Sequence, residues 1–273
     1  MGAALVAVIT LTGVLGPLLA PHDPAEQFRE TLVDDNGLPQ RPGVVAGHAL
    51  GGDGPLGRDE LSRLLHGATI SMSVAYLATG LALLIGVAVG LLSGYFKGWL
   101  DVTSMRFVDL VLSMPFLLIA IVLQKVWVVE GTVKPLMVLC VILGGLSWTT
   151  LARVTRAKTM EASGQEYVQA ARALGVSHAR ILVRHILPNI AGPIIALATL
   201  MVARMIIAES ALSFLGLGVR PPTASWGSML SESESLKIAA PHLLLLPATL
   251  IATAVFGFNL FGEGLRDAFD PKE

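Results

Sequence analysis

Charge and cysteine are scarce in this sequence. Only 14% of the 273 residues are Asp, Glu, Lys or Arg, and the formal net charge is −1. A nearly neutral chain has no general electrostatic attraction to nucleic acid, so we expect no nucleic-acid partner. The single cysteine, Cys140, lies within an apolar run. One cysteine excludes a disulfide framework and a cysteine-based metal site.

Motifs that carry chemistry are also missing. The sequence contains no GxxxxGK[ST] phosphate-binding loop, no Ser-His-Asp grouping and no Cys-His grouping. Its histidines are scattered, and apart from a weak His22-Asp23 pair no two of them have a ligand-like spacing with a carboxylate. The six are His22, His48, His66, His178, His185 and His242. We therefore predict a chain that is not an enzyme, with no catalytic residue, bound cofactor or metal site of its own.

Apolar residues, in contrast, are abundant. They make up 53% of the chain, and the mean hydropathy is +0.70, far outside the range of ordinary soluble proteins. Six apolar segments approach the ~20 residues that span a bilayer. They are Gly2–Ala20, Ile70–Phe96, Phe107–Val129, Leu136–Leu151 (extending toward Thr155), Gly192–Leu217 and His242–Phe261. The sequence predicts an all-α integral membrane protein with six transmembrane helices in contact with membrane lipid.

The placement of Lys and Arg predicts the orientation in the membrane. The segment 152–190 carries six basic and two acidic residues, whereas the segment 21–66 carries four basic and eight acidic residues. Basic loops stay in the cytoplasm. With six spans, 152–190 and both termini are expected to be cytoplasmic, and 21–66 is expected to be extracytoplasmic and largely irregular.

The segment Glu166–Asn189 is polar, basic and helically patterned, and it lies between two predicted spans. Its apolar residues recur at three- and four-residue spacings that are interrupted near Gly175, as in two short amphipathic helices. Pro188 is expected to end this pattern. A patterned cytoplasmic connector of this length indicates a docking element for a soluble partner.

This segment resembles the EAA loop of the membrane subunits of ATP-binding-cassette (ABC) importers. The resemblance rests on Gln169-Ala170-Ala171, on Gly175 and on Leu187-Pro188, with Gln169 standing where the family usually has Glu. In the family this loop inserts a coupling helix into a groove of an ATPase subunit, a helix-in-groove contact. The residues it implies for ATPase coupling are Glu166, Gln169, Ala170, Ala171, Gly175, Leu187 and Pro188.

Three further stretches are similar to the dipeptide, oligopeptide and nickel permease branch of that family. The first is Leu56-Gly57-Arg58-Asp59 with Leu61-Ser62-Arg63 and Gly67-Ala68. The second is Ala211–Gly218 with Pro221-Pro222 and Ser225-Trp226-Gly227. The third is Phe258-Asn259-Leu260 with Gly262, Gly264–Asp267 and Asp270-Pro271. The family usually carries a basic cytoplasmic segment before its first helix, which this sequence lacks, so a truncated or misassigned start stays open.

The resemblance implies the fold of a type I ABC importer transmembrane domain with a cytoplasmic EAA-type coupling loop. The expected division is a first transmembrane helix over 1–20, an extracytoplasmic loop over 21–66 and a permease core over 67–273. Core helices are expected near 70–96, 107–129, 136–155, 192–217 and 242–261, with the coupling loop near 156–190.

The implied function is a permease subunit of an ATP-driven, binding-protein-dependent importer of di- or oligopeptides that works by alternating access. The implied partners are a second homologous permease, two ATPase subunits that bind ATP and Mg, and an extracytoplasmic peptide-binding protein. The implied location is a bacterial or archaeal inner membrane. Import of nickel or another metal chelate through the same architecture stays open. If the chain were an ion-coupled secondary transporter, we would expect an inverted repeat and several carboxylates near the membrane midplane. If it were an intramembrane enzyme, we would expect a catalytic pair at membrane depth.

Two ionisable residues, Arg204 and Glu209, lie inside the fifth apolar segment. Charge at membrane depth is costly, so each is expected to face protein or a hydrated cavity. They are about 140° apart around a helix, too far to pair with each other. Lining of the translocation path and a buried ion pair with another helix both stay open. The resemblance adds Ser213 and Phe214 as gate residues.

Small residues recur every four positions along the second apolar segment, at Ala78, Ala82, Gly86, Gly90 and Gly94. Small residues let helix backbones approach closely in lipid. The stripe predicts a packing seam, either within the chain or against a partner permease.

Overall fold

The computed structural model describes residues 1–127 and 133–269. Within these ranges the regular elements are helices. The β pairing of the described residues consists of three isolated bridges, Gln27–Arg58, Val33–Pro39 and Gly52–Asp59. The helices are α1 Gly2–Leu19, α2 Arg29–Leu32, α3 Glu60–Phe96, α4 Gly98–Leu112, α5 Phe116–Val126, α6 Val133–Ser163, α7 Glu166–Ala173, α8 His178–Arg180, α9 Leu187–Phe214, α10 Trp226–Ser233 and α11 His242–Phe269. A π-helical turn, Ile181–Ile186, joins α8 to α9.

Five of these stretches are long and apolar enough to cross a membrane: α1, α3, most of α6, the run His178–Phe214, and α11. The pair α4 and α5 passes the same test only together, with an 85° bend at the break between them. If the pair is one span, the described part of the chain has six spans. The prediction of an all-α integral membrane protein is confirmed.

The bend lies inside the third predicted span, 107–129, which the structure does not show as one straight helix. α4 ends at Leu112, and Pro115 precedes α5 with φ −63° and ψ 108°. Proline lacks an N–H for the helix ladder and disfavours helix in the residue before it, so the chain turns here. Residues 128 and 129 of the predicted span lie outside the described residues.

The helices extend beyond the apolar segments that predict them. α3 begins at Glu60 instead of 70 because Asp59 caps it, accepting a hydrogen bond of 2.8 Å from the Ser62 N–H. The last residues of the predicted outer loop, 60–66, are therefore helical. α6 continues past 155 to Ser163, and α11 continues past 261 to Phe269. Hydropathy marks the lipid-embedded part of a helix and misses its polar ends.

Pro188 does not end a helix, contrary to our expectation. It is the second residue of α9, and the chain is helical from His178 to Phe214. Pro188 cannot donate to the helix ladder, and it lies directly after a π-helical turn, where the spacing of the hydrogen bonds already changes. The preceding π-helical turn, in which the Leu187 N–H bonds to the Leu182 carbonyl, provides the change in winding. The predicted coupling loop 156–190 is therefore helical except near 164–165 and 174–177.

The stripe of small residues on α3 packs against α6 of the same chain. The stripe comprises Ala78, Ala82, Gly86, Gly90 and Gly94, all buried. A Cβ atom added at Gly90 would lie 2.5 Å from the Thr155 Cβ, and one added at Gly94 would lie 2.7 Å from the Arg156 carbonyl oxygen. Gly144 of α6 approaches the Ala78 carbonyl in the same way. Close approach of this kind maximises dispersion contacts, so the seam is intramolecular.

α1 packs along α3 and α11. A Cβ on Gly16 would collide with the Leu65 carbonyl of α3, and one on Gly2 would collide with the backbone of α11 at Leu260 and Phe261. Its other face exposes apolar side chains to the surroundings of the chain. They include Val8, Leu11, Val14 and Leu18.

We predict that Gly90→Ala lowers the midpoint of thermal unfolding of the chain in detergent. The added methyl overlaps the α6 backbone, and overpacking of this kind costs about 1–3 kcal/mol. Gly80→Ala is the matched control, since a Cβ at Gly80 on the same helix meets no atom within 4 Å. Equal unfolding midpoints for the two variants would contradict the seam.

Candidate functional site

α7 and the turn after it form a defined corner on the end of the molecule that carries the basic segment. Gly175 has φ +75° and follows α7. The Gly175 N–H bonds to the Arg172 carbonyl at 3.0 Å, and the Val176 N–H bonds to the Ala171 carbonyl at 3.1 Å. These two bonds are the Schellman motif, which closes a helix with a left-handed residue that glycine adopts without strain.

The inner face of this corner is anchored in the core. Val168 and Ala171 are buried, and so are Ile181, Leu182 and Ile186 of the π-helical turn. Ala171 therefore faces its own chain, although the resemblance implies that it contacts the ATPase. The small side chain at 171 lets α7 pack on the spans, and its direct contact with an ATPase subunit stays a prediction.

The outer face of the corner is open. Glu166, Gln169, Ala170 and Gly175 are exposed, and a Cβ at Gly175 would meet no atom within 4 Å. Leu174 is 83% exposed at the tip of the turn, an unusual position for a large apolar residue. We call these five residues the docking corner. Of the other predicted coupling residues, Pro188 is exposed and Leu187 is half-buried on the same side of the chain.

The Gln169 side chain has a structural partner. Its Nε2 donates a hydrogen bond of 2.9 Å to the Gly164 carbonyl, which lies in the short break between α6 and α7. A glutamate carboxylate, being an acceptor only, cannot make this bond. The residue that departs from the usual family pattern therefore fixes the start of α7 to the end of α6.

Tyr95 connects the docking corner to α3, and no sequence pattern pointed to it. Its hydroxyl is 2.8 Å from the His178 Nδ1, and the Arg172 guanidinium lies 4.6 Å above its ring. Phe96 packs edge-on against both Tyr95 and His178. A hydrogen bond, a cation–π contact and aromatic packing thus join the last turn of α3 to both sides of the corner.

Two ion pairs link α4 to α6 near the same end of the molecule. Arg156 binds Asp101 through two nitrogens, and Arg153 binds Asp109. The bidentate Arg156–Asp101 pair also fixes the relative orientation of the two helices. α4 is therefore connected through α6 to the Gly164 break.

The opposite end of the molecule holds a second network, built on the Leu56–Arg63 motif. Arg58 contacts Asp53 at 2.5 Å and Glu232 of α10 at 2.6 Å. Arg63 contacts the same two carboxylates, at 3.2 and 2.8 Å. Both arginines are buried, so each needs its acidic partner. Sequence separations of 169 and 174 positions between the arginines and Glu232 explain why sequence spacing did not reveal this pairing.

The Ser225-Trp226-Gly227 motif packs against the first turns of α3. The buried Trp226 indole donates to the Leu64 carbonyl at 3.2 Å, and the Trp226 N–H donates to the Ser71 hydroxyl at 3.2 Å. Gly67 approaches the Trp226 ring, and Gly227 approaches the α9 backbone at Ser210. The first two of the three motifs that indicated the peptide and nickel branch therefore meet in space.

Glu209 lies at the centre of this meeting point. It is fully buried, accepting hydrogen bonds from the Ser71 hydroxyl at 3.0 Å and the Ser213 hydroxyl at 2.7 Å. No Lys, Arg or His of the described residues lies within ion-pair distance of it. The buried ion pair that we considered is therefore absent from the described residues, and lining of the translocation path stays a prediction. Glu209 joins α3 and α9 through serine hydroxyls, and Ser71 also accepts from the Trp226 N–H.

The other predicted path residues are dispersed. Arg204 is exposed and lines a groove of about 450 Å³ between the α4–α5 bend, α6 and α9. Ser213 is buried beside Glu209, where its hydroxyl also accepts from the Val219 N–H at 3.3 Å. Phe214 is partly exposed at the end of α9. Arg204 and Phe214 are thus open to the surroundings of the chain, and Glu209 and Ser213 are internal.

The prediction that the histidines are scattered is wrong at one point. His22 and His48 come together with Asp59, with one possible ligand atom from each lying within 4.8 Å of the others. The three residues are separated by 26 and 11 positions in an irregular segment, so no periodicity could place them together.

We predict that Glu209→Ala destabilises the protein and Glu209→Gln does not. Alanine leaves the Ser71 and Ser213 hydroxyls without an acceptor in an apolar interior, at about 1–3 kcal/mol for each. Glutamine keeps the shape and can accept from one serine and donate to the other. Thermal unfolding in detergent measures the difference, and a Glu209→Ala protein as stable as Glu209→Gln would refute the network.

Curated relatives align over nearly the whole chain. A dipeptide transport system permease protein of Haemophilus influenzae is 35% identical over 274 residues, covering 100% of this chain and 90% of the relative. A glutathione transport system permease protein of Escherichia coli is 38% identical, covering 100% and 86%. An oligopeptide transport system permease protein of Mycobacterium bovis is 39% identical, covering 98% and 88%.

A solved structure shows the same fold. A chain of the inward-facing MetNI methionine ABC transporter superposes with a TM-score of 0.59 at 16% identity, covering 76% of this chain and 96% of the other. Residues 86–273 match the family described as binding-protein-dependent transport system inner membrane component. With that match and full-length relatives, this chain belongs to the inner membrane permease subunits of binding-protein-dependent ABC importers and has their type I transmembrane fold.

Proposed function

We propose that this permease imports di- or oligopeptides as one of a pair of homologous permease subunits. Two ATPase subunits bind ATP and Mg on the cytoplasmic side, and an extracytoplasmic binding protein delivers the peptide. The names of the dipeptide, glutathione and oligopeptide relatives support the substrate class, since glutathione is itself a small peptide. The basic segment around the docking corner supports a cytoplasmic location for that end and for both termini.

The observation that carries this proposal is the docking corner, an exposed helix and turn that is fastened to the spans. Its outer face offers small residues and the apolar Leu174 to a partner groove. The corner is fastened at two points. Tyr95 of α3 contacts Arg172 and His178, which flank the turn. The Gln169 side chain bonds to the Gly164 carbonyl at the end of α6. A partner that displaces the corner therefore displaces at least two spans with it.

The mechanism that follows is alternating access. Closure of the ATPases on ATP brings the two docking corners of the permease pair together, and the attached spans open the path outward. Hydrolysis and release reverse the movement. Arg204 of α9 is exposed in the groove between the α4–α5 bend, α6 and α9. Its guanidinium can bind the carboxylate of a peptide that passes along this groove.

We predict that Gly175→Val abolishes most of the ATP hydrolysis that the loaded binding protein stimulates in the reconstituted complex. Valine at φ +75° costs about 1–2 kcal/mol of backbone strain, which the turn relieves by changing shape. Gly175→Asn is the matched control because asparagine tolerates this conformation, and it should retain stimulation. Equal stimulated ATP hydrolysis in the two variants would show that the turn has no role in coupling.

A second pair of variants tests the outer face without altering the backbone. Ala170→Glu places a charge and bulk on the exposed side of α7 and should reduce stimulated hydrolysis, whereas Ala170→Ser should not. Ala171 is unsuitable for this purpose because a charge there would be buried in the chain's own core. Copurification of the ATPase subunits with each variant separates loss of docking from loss of membrane insertion.

We also predict that the isolated chain in detergent neither binds nor hydrolyses ATP. The sequence offers no phosphate-binding loop, so nucleotide must be held by the partner subunits. Equilibrium dialysis with labelled ATP measures this directly. Saturable ATP binding by the chain alone would contradict the proposal that only the partner subunits bind ATP.

A further inference from the structure

Three side chains with metal-binding chemistry converge at the start of α3. His22 follows α1, His48 lies in the irregular segment between α1 and α3, and Asp59 caps α3. The His48 Nδ1 is 2.9 Å from the Asp59 Oδ1, and the His22 Nδ1 is 4.0 Å from the Asp59 Oδ2. The two imidazole rings are stacked, with centroids 4.4 Å apart and planes at 19°.

The His22 ring is incompletely satisfied. Its Nδ1 atom is shielded from solvent and has no hydrogen-bond partner among residues 1–127 and 133–269. A buried polar atom without a partner is costly, so such an atom points to a missing partner. The Asp59 carboxylate is 4.0 Å away, and one ligand atom each of His22, His48 and Asp59 lies within 4.8 Å of the others.

The buried Asp59 carboxylate also lacks a strong cationic partner. It is fully buried, yet the neighbouring Arg58 and Arg63 bind Asp53 and Glu232. Its contacts in the described ranges are the two histidines and the Ser62 N–H and hydroxyl. A buried negative charge surrounded by imidazole nitrogens is suited to a cation.

The spacing fits a small divalent ion. Ligand bonds of about 2.0–2.1 Å at tetrahedral angles place ligand atoms about 3.3 Å apart. The His48 Nδ1 is 2.9 Å from one Asp59 oxygen and the His22 Nδ1 is 4.0 Å from the other, on either side of that value. Because an imidazole lone pair lies in its ring plane, the stacked rings must turn on binding so that both Nδ1 atoms face one ion. Imidazole nitrogens with a carboxylate oxygen suit zinc, nickel or copper, and are a poor set for calcium or magnesium.

Ser62 orients two of the three ligands. Its N–H and hydroxyl hold the Asp59 Oδ2 at 2.8 and 2.6 Å, which leaves the Oδ1 directed toward His48. The same hydroxyl accepts from the His22 backbone N–H at 3.1 Å. Phe28 packs against both imidazole rings, 5.1 Å from His22 and 4.8 Å from His48. Such outer contacts fix metal ligands in place and limit water access.

We propose that His22, His48 and Asp59 bind one divalent transition-metal cation of the zinc and nickel class. The ion cross-links the end of α1, the irregular segment and the start of α3. The role of the ion is structural, because it holds the segment between α1 and α3 in position beside the Arg58 and Arg63 network. The ion is therefore a resident of this subunit and is independent of the peptide that the importer carries.

Metal binding by the full chain tests this proposal. The chain is purified in detergent without a polyhistidine tag, stripped with EDTA and titrated with ZnCl₂ by calorimetry. We expect saturation at one equivalent and a rise in the thermal unfolding midpoint on adding zinc. Cobalt(II) should give the intense visible absorption of a four-coordinate site with nitrogen and oxygen ligands.

The variants are His22→Gln and Asp59→Asn. Each should weaken zinc binding at least about tenfold, since even outer-shell changes cost 10–100-fold. Asparagine remains a good helix cap, so Asp59→Asn should keep the fold, and the unfolding midpoint without metal checks this. His66→Gln is the control: His66 is on the same helix, its Nδ1 bonds to the Ser62 carbonyl, and its loss should leave zinc binding unchanged.

The absence of saturable zinc binding by the unaltered chain would overturn the proposal. So would equal zinc affinity in His22→Gln, Asp59→Asn and His66→Gln, because the ion would then be bound elsewhere. Neither result depends on transport, so these experiments test the metal site without testing the proposed role in peptide import.

Discussion

Close contact between α3 and α6 is the constraint on which the rest of the structure depends. In lipid the hydrophobic effect does not hold helices together, so dispersion between nearly touching backbones must do so. Gly86, Gly90 and Gly94 permit that contact because even a methyl group would overlap α6. The seam fixes the position of Tyr95 at one end of α3 and of the Asp59 cap at the other. The pair of α3 and α6 therefore positions both the docking corner and the arginine network.

The sequence was sufficient to predict the membrane class, five of the six spans and the family, because each rests on local properties: apolar length, charge placement and short motifs. Helix ends were less predictable. α3 begins in polar sequence at Glu60 because a side-chain cap, and not hydropathy, decides where it starts. The 85° bend at Pro115 was foreseeable as a kink, but its size depends on how α5 packs on α6.

The site was only partly predictable, for a physical reason. Whether a residue on a short helix faces solvent or core depends on the packing of that helix, so Ala170 and Ala171 could not be distinguished by pattern. Long-range pairs such as Arg63 with Glu232 leave no periodic trace in sequence. Glu209 illustrates the same limit: Ser213 is four residues away on the same helix, but Ser71 is 138 positions away on α3 and becomes a partner only in the fold.

The unbroken helical run from His178 to Phe214 acts as a lever arm. Its 37 residues span about 55 Å at 1.5 Å per residue. A tilt of about 5° at the docking corner therefore moves the far end, beside Glu209 and Phe214, by about 5 Å, the length of one helical turn. In the mechanism that we propose, small movements at the docking corner are thus amplified, and the serine contacts around Glu209 lie near the end that moves farthest.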